Sequence, residues 1–374
     1  MSGIYIHIPF CKQACHYCDF HFSTQLGKKE VMVSAIAKEL ELRKSEVDDQ
    51  VETIYFGGGT PSVLSNDEIE FLIQAVYDNY KVIDRPEITL EANPDDLSNN
   101  RIIQLSNSST NRLSIGIQSF FDEDLKLMNR AHNAGEAEQC IKKAIQYFDN
   151  ITIDLIYGIP GMDNDRWKAN IQKALDFDLP HISSYALTVE PRTALKKFIE
   201  KGVVPDVDDE QAQEQFHILV DTLESNGFVN YEISNFGKPD YFSKNNTAYW
   251  LGKTYLGVGP SAHSYDGKHR SWNIRNNPTY IKKMEEGELP MEIETLSTTD
   301  RYNEYVMTGL RTIWGVDLDR IASEFGENYL KYFNQQSSKF LDQGLLVVDD
   351  GKLLTTKKGK FLADGIASDL FFLK

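Results

Sequence analysis

Six short segments rich in β-branched and aromatic residues, each followed by a helical pattern, restrict what this chain can fold into. They run from Ile4 to Ile8, Thr53 to Phe56, Ile88 to Glu91, Leu113 to Ile117, Ile151 to Tyr157 and Ile182 to Leu187. Between the first two, Val33, Ile36, Ala37 and Leu40 recur at helical spacing. Between the second and third, Ser65-Asn66-Asp67-Glu68 has the form of a capping box. Such alternation predicts a parallel sheet with right-handed crossovers. Six strands are too few to close an eightfold barrel, which leaves an open doubly wound sheet or a partial barrel. The strand ends favour the barrel, whose working loops follow the C-terminal ends of its strands. A cysteine cluster follows the first strand, Gly57-Gly58-Gly59-Thr60 the second, Glu91-Ala92-Asn93-Pro94 the third and Gln118-Ser119 the fourth. All would face one cavity.

At 374 residues the chain exceeds what one core of roughly 250 to 300 residues holds, so a second, smaller domain is expected. From Leu187 to Tyr280 the pattern loosens into loops rich in Tyr, Asn and Gly, including Gly257-Val258-Gly259-Pro260, which would cover the barrel's open side. Beyond Asp300, helices are expected near Tyr302 to Ile313, from Leu318, and around Tyr329 to Leu341. Leu345 to Val348 and Leu353 to Thr356 flank Asp349-Asp350-Gly351-Lys352, a hairpin signal that completes a winged-helix-like module. The expected divisions are 1–190 for the barrel core, 191–299 for a closing and linking region, and 300–374 for the C-terminal domain.

The net charge of −17 lies entirely within the first 300 residues, because the remainder holds ten basic and ten acidic side chains. Such a field repels phosphate backbones, so nucleic acid is not an expected partner, and the winged module reads as a packing or partner surface. No apolar run approaches the roughly 20 residues that span a bilayer. The first residues show no basic region or cleavage site, and a cytoplasmic location is expected.

Three of the four cysteines, Cys11, Cys15 and Cys18, fall in the spacing C-x3-C-x2-C. In a reducing compartment such a cluster signals metal or redox chemistry rather than a disulfide framework. Three thiolates on a [4Fe-4S] cube leave one iron without a protein ligand, free to chelate a small molecule. The amino and carboxylate groups of S-adenosylmethionine (SAM) suit that iron, and an electron from the cube can then cleave its carbon-sulfur bond to a 5′-deoxyadenosyl radical. The competing readings are a zinc site completed by His7, His16 or His21, and thiols without metal; the paired knuckles usual for zinc are missing. Cys140 sits in a helical pattern and is expected in the core.

Tyr5-x-His7-Ile8-Pro9-Phe10-Cys11, Cys15-x-Tyr17-Cys18-Asp19-Phe20, Gly57-Gly58-Gly59-Thr60-Pro61-Ser62 and Tyr249-Trp250 together resemble the HemN/HemW group of radical SAM proteins, most closely its heme chaperone-like HemW branch. The resemblance implies an α/β fold: a partial (β/α)6 TIM-like barrel followed by a small C-terminal domain. It places Cys11, Cys15 and Cys18 on the cluster, Tyr5 and Tyr17 beside it, and Gly58, Gly59 and Thr60 at the methionine end of SAM. Glu91, Gln118, Arg130 and Asp154 likewise fall where the family contacts SAM. Thr60 before Pro61 would equally start a helix. Asp154 lies in an apolar strand and needs a partner, for which Arg130 is the candidate.

The same resemblance implies a protein that binds heme and hands it to acceptor proteins, some of them membrane-associated, with an electron donor for the cluster. Two alternatives stand beside it: an oxygen-independent coproporphyrinogen III dehydrogenase and a non-catalytic iron-sulfur redox sensor. The dehydrogenase branch carries a further Cys where this chain has Phe20, and a longer N-terminal extension ahead of the strand that here begins at Ile4. The HemW pattern His-Asn-x-x-Tyr-Trp appears as Asn245-Asn246-Thr247-Ala248-Tyr249-Trp250, and a carboxamide is a poor axial ligand. His263 and His7 are the candidate substitutes, with Asn246, Tyr249 and Trp250 as candidate porphyrin contacts.

Overall fold

Six strands, β1 (Ser2–Ile8), β2 (Val51–Gly58), β3 (Val82–Ala92), β4 (Arg112–Gln118), β5 (Ile151–Tyr157) and β6 (His181–Ala186), pair in parallel in the order of the chain. They belong to a computed structural model that describes residues 2–373. Consecutive order means that every crossover steps the same way around the sheet, which is barrel winding; a doubly wound sheet reverses direction at a switch point. The crossovers contain α1 (Lys29–Leu42), α2 (Asn66–Asn79), α3 (Asn99–Ser106), α4 (Asp122–Leu127), α5 (Ala134–Ala144) and α6 (Asn164–Asp176). β4 and most of β2 and β5 are buried along their length, as strands covered on both faces must be. The expected capping box opens α2, with Ser65 N donating to Glu68 Oε2 at 2.7 Å and Glu68 N to Ser65 Oγ at 3.2 Å. Cys140 is buried in the core against α5's neighbours, as its helical setting implied.

The stretch expected to be loops is instead largely regular. It holds α7 (Ala194–Glu200), α8 (Asp209–Ser225), α9 (Lys244–Trp250) and α10 (Asn277–Glu285), with β7 (Val229–Glu232), β8 (Asn235–Gly237), β9 (Tyr255–Val258), β10 (His263–Tyr265), β11 (His269–Asn273) and β12 (Met291–Thr295). β9 adds in parallel beside β1 and carries an antiparallel ribbon of β10, β11 and β12, while β8 and β7 extend the opposite edge from β6. The result is a twelve-stranded sheet lengthened at both edges and not closed on itself.

Helices Thr298–Leu310 and Glu327–Asp342 pack around their own apolar cluster with the strands Val316–Asp317, Leu346–Asp349 and Lys352–Thr355. Asp349 pairs with Lys352 across a two-residue turn in which Asp350 (φ 44°) and Gly351 (φ 73°) both take the left-handed region, the geometry that matches strand twist in a hairpin. No helix among the described residues is long and apolar enough to cross a membrane.

Candidate cluster and cofactor site

The cysteines occupy the loop after β1. That loop is fastened on both sides. Cys11 N donates to Ser23 O (3.1 Å) and Ser23 N to Pro9 O (2.9 Å), while His16 N donates to Met128 O (3.0 Å). Gln13 Nε2 donates to Asn129 O and Asn129 Nδ2 to Ala14 O, each at 2.8 Å. The segment after α4 therefore acts as a clamp on the turn that presents Cys15.

Cys11, Cys15 and Cys18 line one cavity of about 150 Å³ together with Tyr17, Gly58, Gly59, Thr60, Glu91, Gln118, Arg130 and Asp154. Tyr5 stands just outside it, in a second cavity of about 860 Å³ that shares Glu91 and Phe20 with the first. Asn93, in the segment after β3 expected to face the cavity, lines it, as do Ser114 and Gly116 inside β4, which had no signal in the sequence.

Thr60 makes no side-chain cap for the short helix Pro61–Val63; its hydroxyl instead points at Cys11 Sγ, 3.3 Å away. Arg130 does not pair with Asp154. Its Nη groups donate instead to Gly116 O at 2.8 Å, to Asn93 and to Cys15 Sγ at 3.3 Å. Gly116 makes this possible, since a Cβ there would stand 2.9 Å from Gln118 Nε2 and 3.2 Å from Arg130 Nη2. Gln118 has a φ of 69°, in the left-handed region that non-glycine residues seldom adopt, where the register between β4 and β5 shifts. Irregularities of this kind re-aim side chains at strand ends.

Burial pushes the Asp154 carboxyl up to about 6, against the pull of Arg112 and Arg130. Burial likewise raises Glu91 to about 7, opposed by the Tyr55 hydroxyl, which donates to it at 2.8 Å, and reinforced by Asp154. The Cys11 thiol is pushed up to about 12 by burial and only partly relieved by Thr60; Cys18 is raised for the same first reason. Thiols held this way stay protonated until a metal displaces the proton.

The donor set suits a multinuclear cluster better than one ion. Three thiols share one cavity, and a cube takes each thiolate on a separate iron. The histidines considered for completing a zinc site are hydrogen-bonded elsewhere: His7 Nε2 with His21 O (3.0 Å), His16 Nδ1 with Leu127 O (2.9 Å) and His21 Nε2 with Asn277 Oδ1 (2.7 Å). The buried Nε of Arg130 has no hydrogen-bond partner, an open donor for an anionic group such as an amino-acid carboxylate.

The larger cavity collects Tyr5, His7, Asn245, Asn246, Tyr249, Trp250 and His263. Asn245 is turned toward the barrel floor, where Thr53 Oγ1 donates to its Oδ1 at 3.2 Å. His7 is unsuited to iron, because its Nδ1 meets the Tyr5 hydroxyl at 3.3 Å and its other nitrogen is spent on His21. Tyr249 and Trp250 meet edge to face at 5.6 Å on α9.

Residues 5–174 match the Radical SAM superfamily and residues 296–362 the HemN C-terminal domain. The chain is 33% identical to the heme chaperone HemW of Lactococcus lactis, with 98% of both chains covered, and equally to that of Bacillus subtilis. It is 29% identical to the mitochondrial radical S-adenosyl methionine domain-containing protein 1 of Danio rerio, over 98% of this chain and 86% of that one. Coproporphyrinogen III oxidase (HemN) from Escherichia coli, a radical SAM enzyme, has the same fold, with a TM-score of 0.85 over 99% of this chain and 89% of that one at 22% identity.

Proposed function

This chain belongs to the HemW family of radical SAM proteins, and on that footing we propose that it is a heme chaperone: it binds heme beside a cluster and SAM site and delivers it to acceptor proteins. Membership in the superfamily implies a [4Fe-4S] cluster and SAM. The observation that carries the residue assignment is the single cavity on which three thiols, a glycine turn and Arg130 converge.

In this reading Cys11, Cys15 and Cys18 hold the cluster, and Thr60 and Arg130 donate to two of its sulfurs. When bound, cluster and SAM supply one-electron reductive chemistry. Arg130 offers its free Nε to the carboxylate of SAM, and Gly58 and Gly59 let the backbone approach the methionine portion. Glu91, Gln118 and Asp154 face the polar remainder of the ligand, and Tyr17 covers the cluster. An electron donor and a heme acceptor complete the system. The oxygen-sensitive thiolate cluster suits a reducing cytoplasm. Phe20, exposed on both cavities, stands where the dehydrogenase branch has a further Cys, which favours carriage of heme over its synthesis.

Anaerobic reconstitution followed by parallel SAM and hemin titrations of one sample tests this. A SAM-dependent change in the EPR signal of the reduced cluster, a Soret band on hemin addition and transfer to an apo acceptor are the expected results. A cluster indifferent to SAM would favour the redox sensor, and conversion of coproporphyrinogen III to protoporphyrinogen IX would replace the chaperone with the dehydrogenase.

A further inference from the structure

We propose that His263, on β10, is the axial ligand to heme iron in this chain and that Arg275, just past β11, is the anchor for a heme carboxylate. This rests on the heme-binding reading above. The family's histidine position is occupied by Asn245, whose side chain is committed to Thr53, so iron must find its ligand elsewhere in the cavity. At about 860 Å³ that cavity lies within the roughly 300 to 1,000 Å³ typical of small-molecule sites.

Elimination leaves one imidazole. Three histidines line the cavity: His7, His21 and His263. His7 is buried with both ring nitrogens engaged, and the Nε2 of His21, the nitrogen farther from its backbone, is bonded to Asn277. His263 is exposed to the cavity, and among the described residues neither of its nitrogens has a hydrogen-bond partner. Burial and Arg270 both depress its protonation, keeping a lone pair available. No cysteine lines this space, and burial raises the tyrosines Tyr5, Tyr185 and Tyr255, which disfavours phenolate ligands.

The backbone holds His263 firmly. β10 pairs His263 with Trp272, and their rings lie 6.0 Å apart. A Cβ on Gly257 would fall 2.0 Å from His263 O, so only glycine lets β9 run this close to the ligand's strand. Arg275 lies two residues past Asn273, the last residue of β11, whose N–H bonds Ala262 O at 2.9 Å. Its guanidinium donates to the Asp19 carbonyl and has no carboxylate partner among the described residues, whereas Arg270 is paired with Glu304 and Arg311 with Asp364. A cation without a carboxylate partner and a free imidazole that line one cavity with Tyr249 and Trp250 match a planar metal macrocycle bearing carboxylates.

The test titrates hemin and hemin dimethyl ester into the full-length reconstituted protein and its variants. His263→Ala is expected to raise the hemin Kd about tenfold or more and to lose the imidazole-ligated spectrum, with free imidazole restoring that spectrum; His21→Ala is expected to behave as wild type. Arg275→Gln is expected to weaken hemin but not its uncharged diester. A wild-type spectrum and affinity in His263→Ala, or loss in His21→Ala instead, would overturn the ligand assignment while leaving heme binding intact. An absent Soret band in the wild-type protein would remove the heme reading itself.

Discussion

Asn93 Oδ1 accepts a hydrogen bond from Arg130 Nη2 at 2.6 Å, while Asn93 Nδ2 donates to Thr60 Oγ1 at 3.3 Å. The amide has only one workable orientation here, because a guanidinium cannot accept. Since the Thr60 hydroxyl spends its proton on Cys11 and Arg130 reaches Cys15, the loops after β1, β2, β3 and β4 are joined in one arc from sulfur to sulfur.

Replacing Asn93 with Asp tests that arc. A carboxylate cannot donate to Thr60 and would take the hydroxyl proton away from Cys11, while adding negative charge beside the cluster. Hydrogen bonds to cluster sulfurs stabilise the more negative, reduced state, so the midpoint potential of the cluster should fall. A shift of about 30 to 60 mV, worth roughly a threefold to tenfold change in reduced fraction for one electron, is expected in an EPR-monitored titration. Asn93→Ala should shift the same way by less.

Glu91 gives a pH signature. Its pKa is raised in the fold, from an ordinary value near 4.5 to about 7, mainly by burial. The folded protein therefore holds an extra proton between those values, and stability conferred by the neutral acid is lost as pH rises through that window. Glu91→Gln keeps an acceptor for Tyr55 but cannot ionise. The cofactor-free variant should melt higher than wild type at pH 8, by at most about 3 kcal/mol of stability, and nearly level with it at pH 5. A variant equally stabilised at both pH values would contradict the titration of Glu91.

Glu39 ties the ribbon to the barrel. It is fully buried, pairs with Arg43 at 2.8 Å, and accepts from Gly259 N (2.8 Å), Asn273 Nδ2 (2.7 Å) and the Tyr280 hydroxyl. Arg43 keeps Glu46 at 2.8 Å, so the loss of Glu39 falls mainly on the buried donors of Gly259, Asn273 and Tyr280 left without an acceptor, at about 3 to 5 kcal/mol in all. Glu39→Ala should lose that much in urea unfolding and weaken hemin binding too, since Gly259 and Asn273 bracket His263.

The barrel strands were legible from their apolar runs, and much of the cavity from the glycines, cysteines and polar groups that follow them or, like Asp154, break an apolar strand. The edges of the sheet were not. β7, β8 and β10 are three or four residues long, and their Asn, Tyr and Gly content is that of loops. α8 was missed although Ala212, Phe216, Leu219, Val220 and Leu223 recur at helical spacing and are all buried, a signal present in the sequence. Asp154 and Arg130 form no ion pair because the Nη groups of Arg130 are taken by Cys15, Asn93 and Gly116, partners that charge complementarity alone does not reveal. Asn93 itself, an amide in a turn before Pro94, looks like any turn residue until its two partners are seen.

Serine substitutions separate the cysteines by role. Ser keeps the size of the side chain and removes the soft thiolate that iron prefers. Cys11→Ser, Cys15→Ser and Cys18→Ser should each lose most of the iron and sulfide that reconstituted wild type retains, and with it the visible iron-sulfur absorption. Cys140 is buried among core residues on α5 and lines neither cavity, so Cys140→Ser should keep its full iron and sulfide content and lose only about 1 to 3 kcal/mol of stability from a hydroxyl placed in an apolar setting. Metal analysis and thermal melting of the four variants decide the matter. Iron loss in Cys140→Ser, or retention in any of the other three, would move the cluster away from the loop after β1.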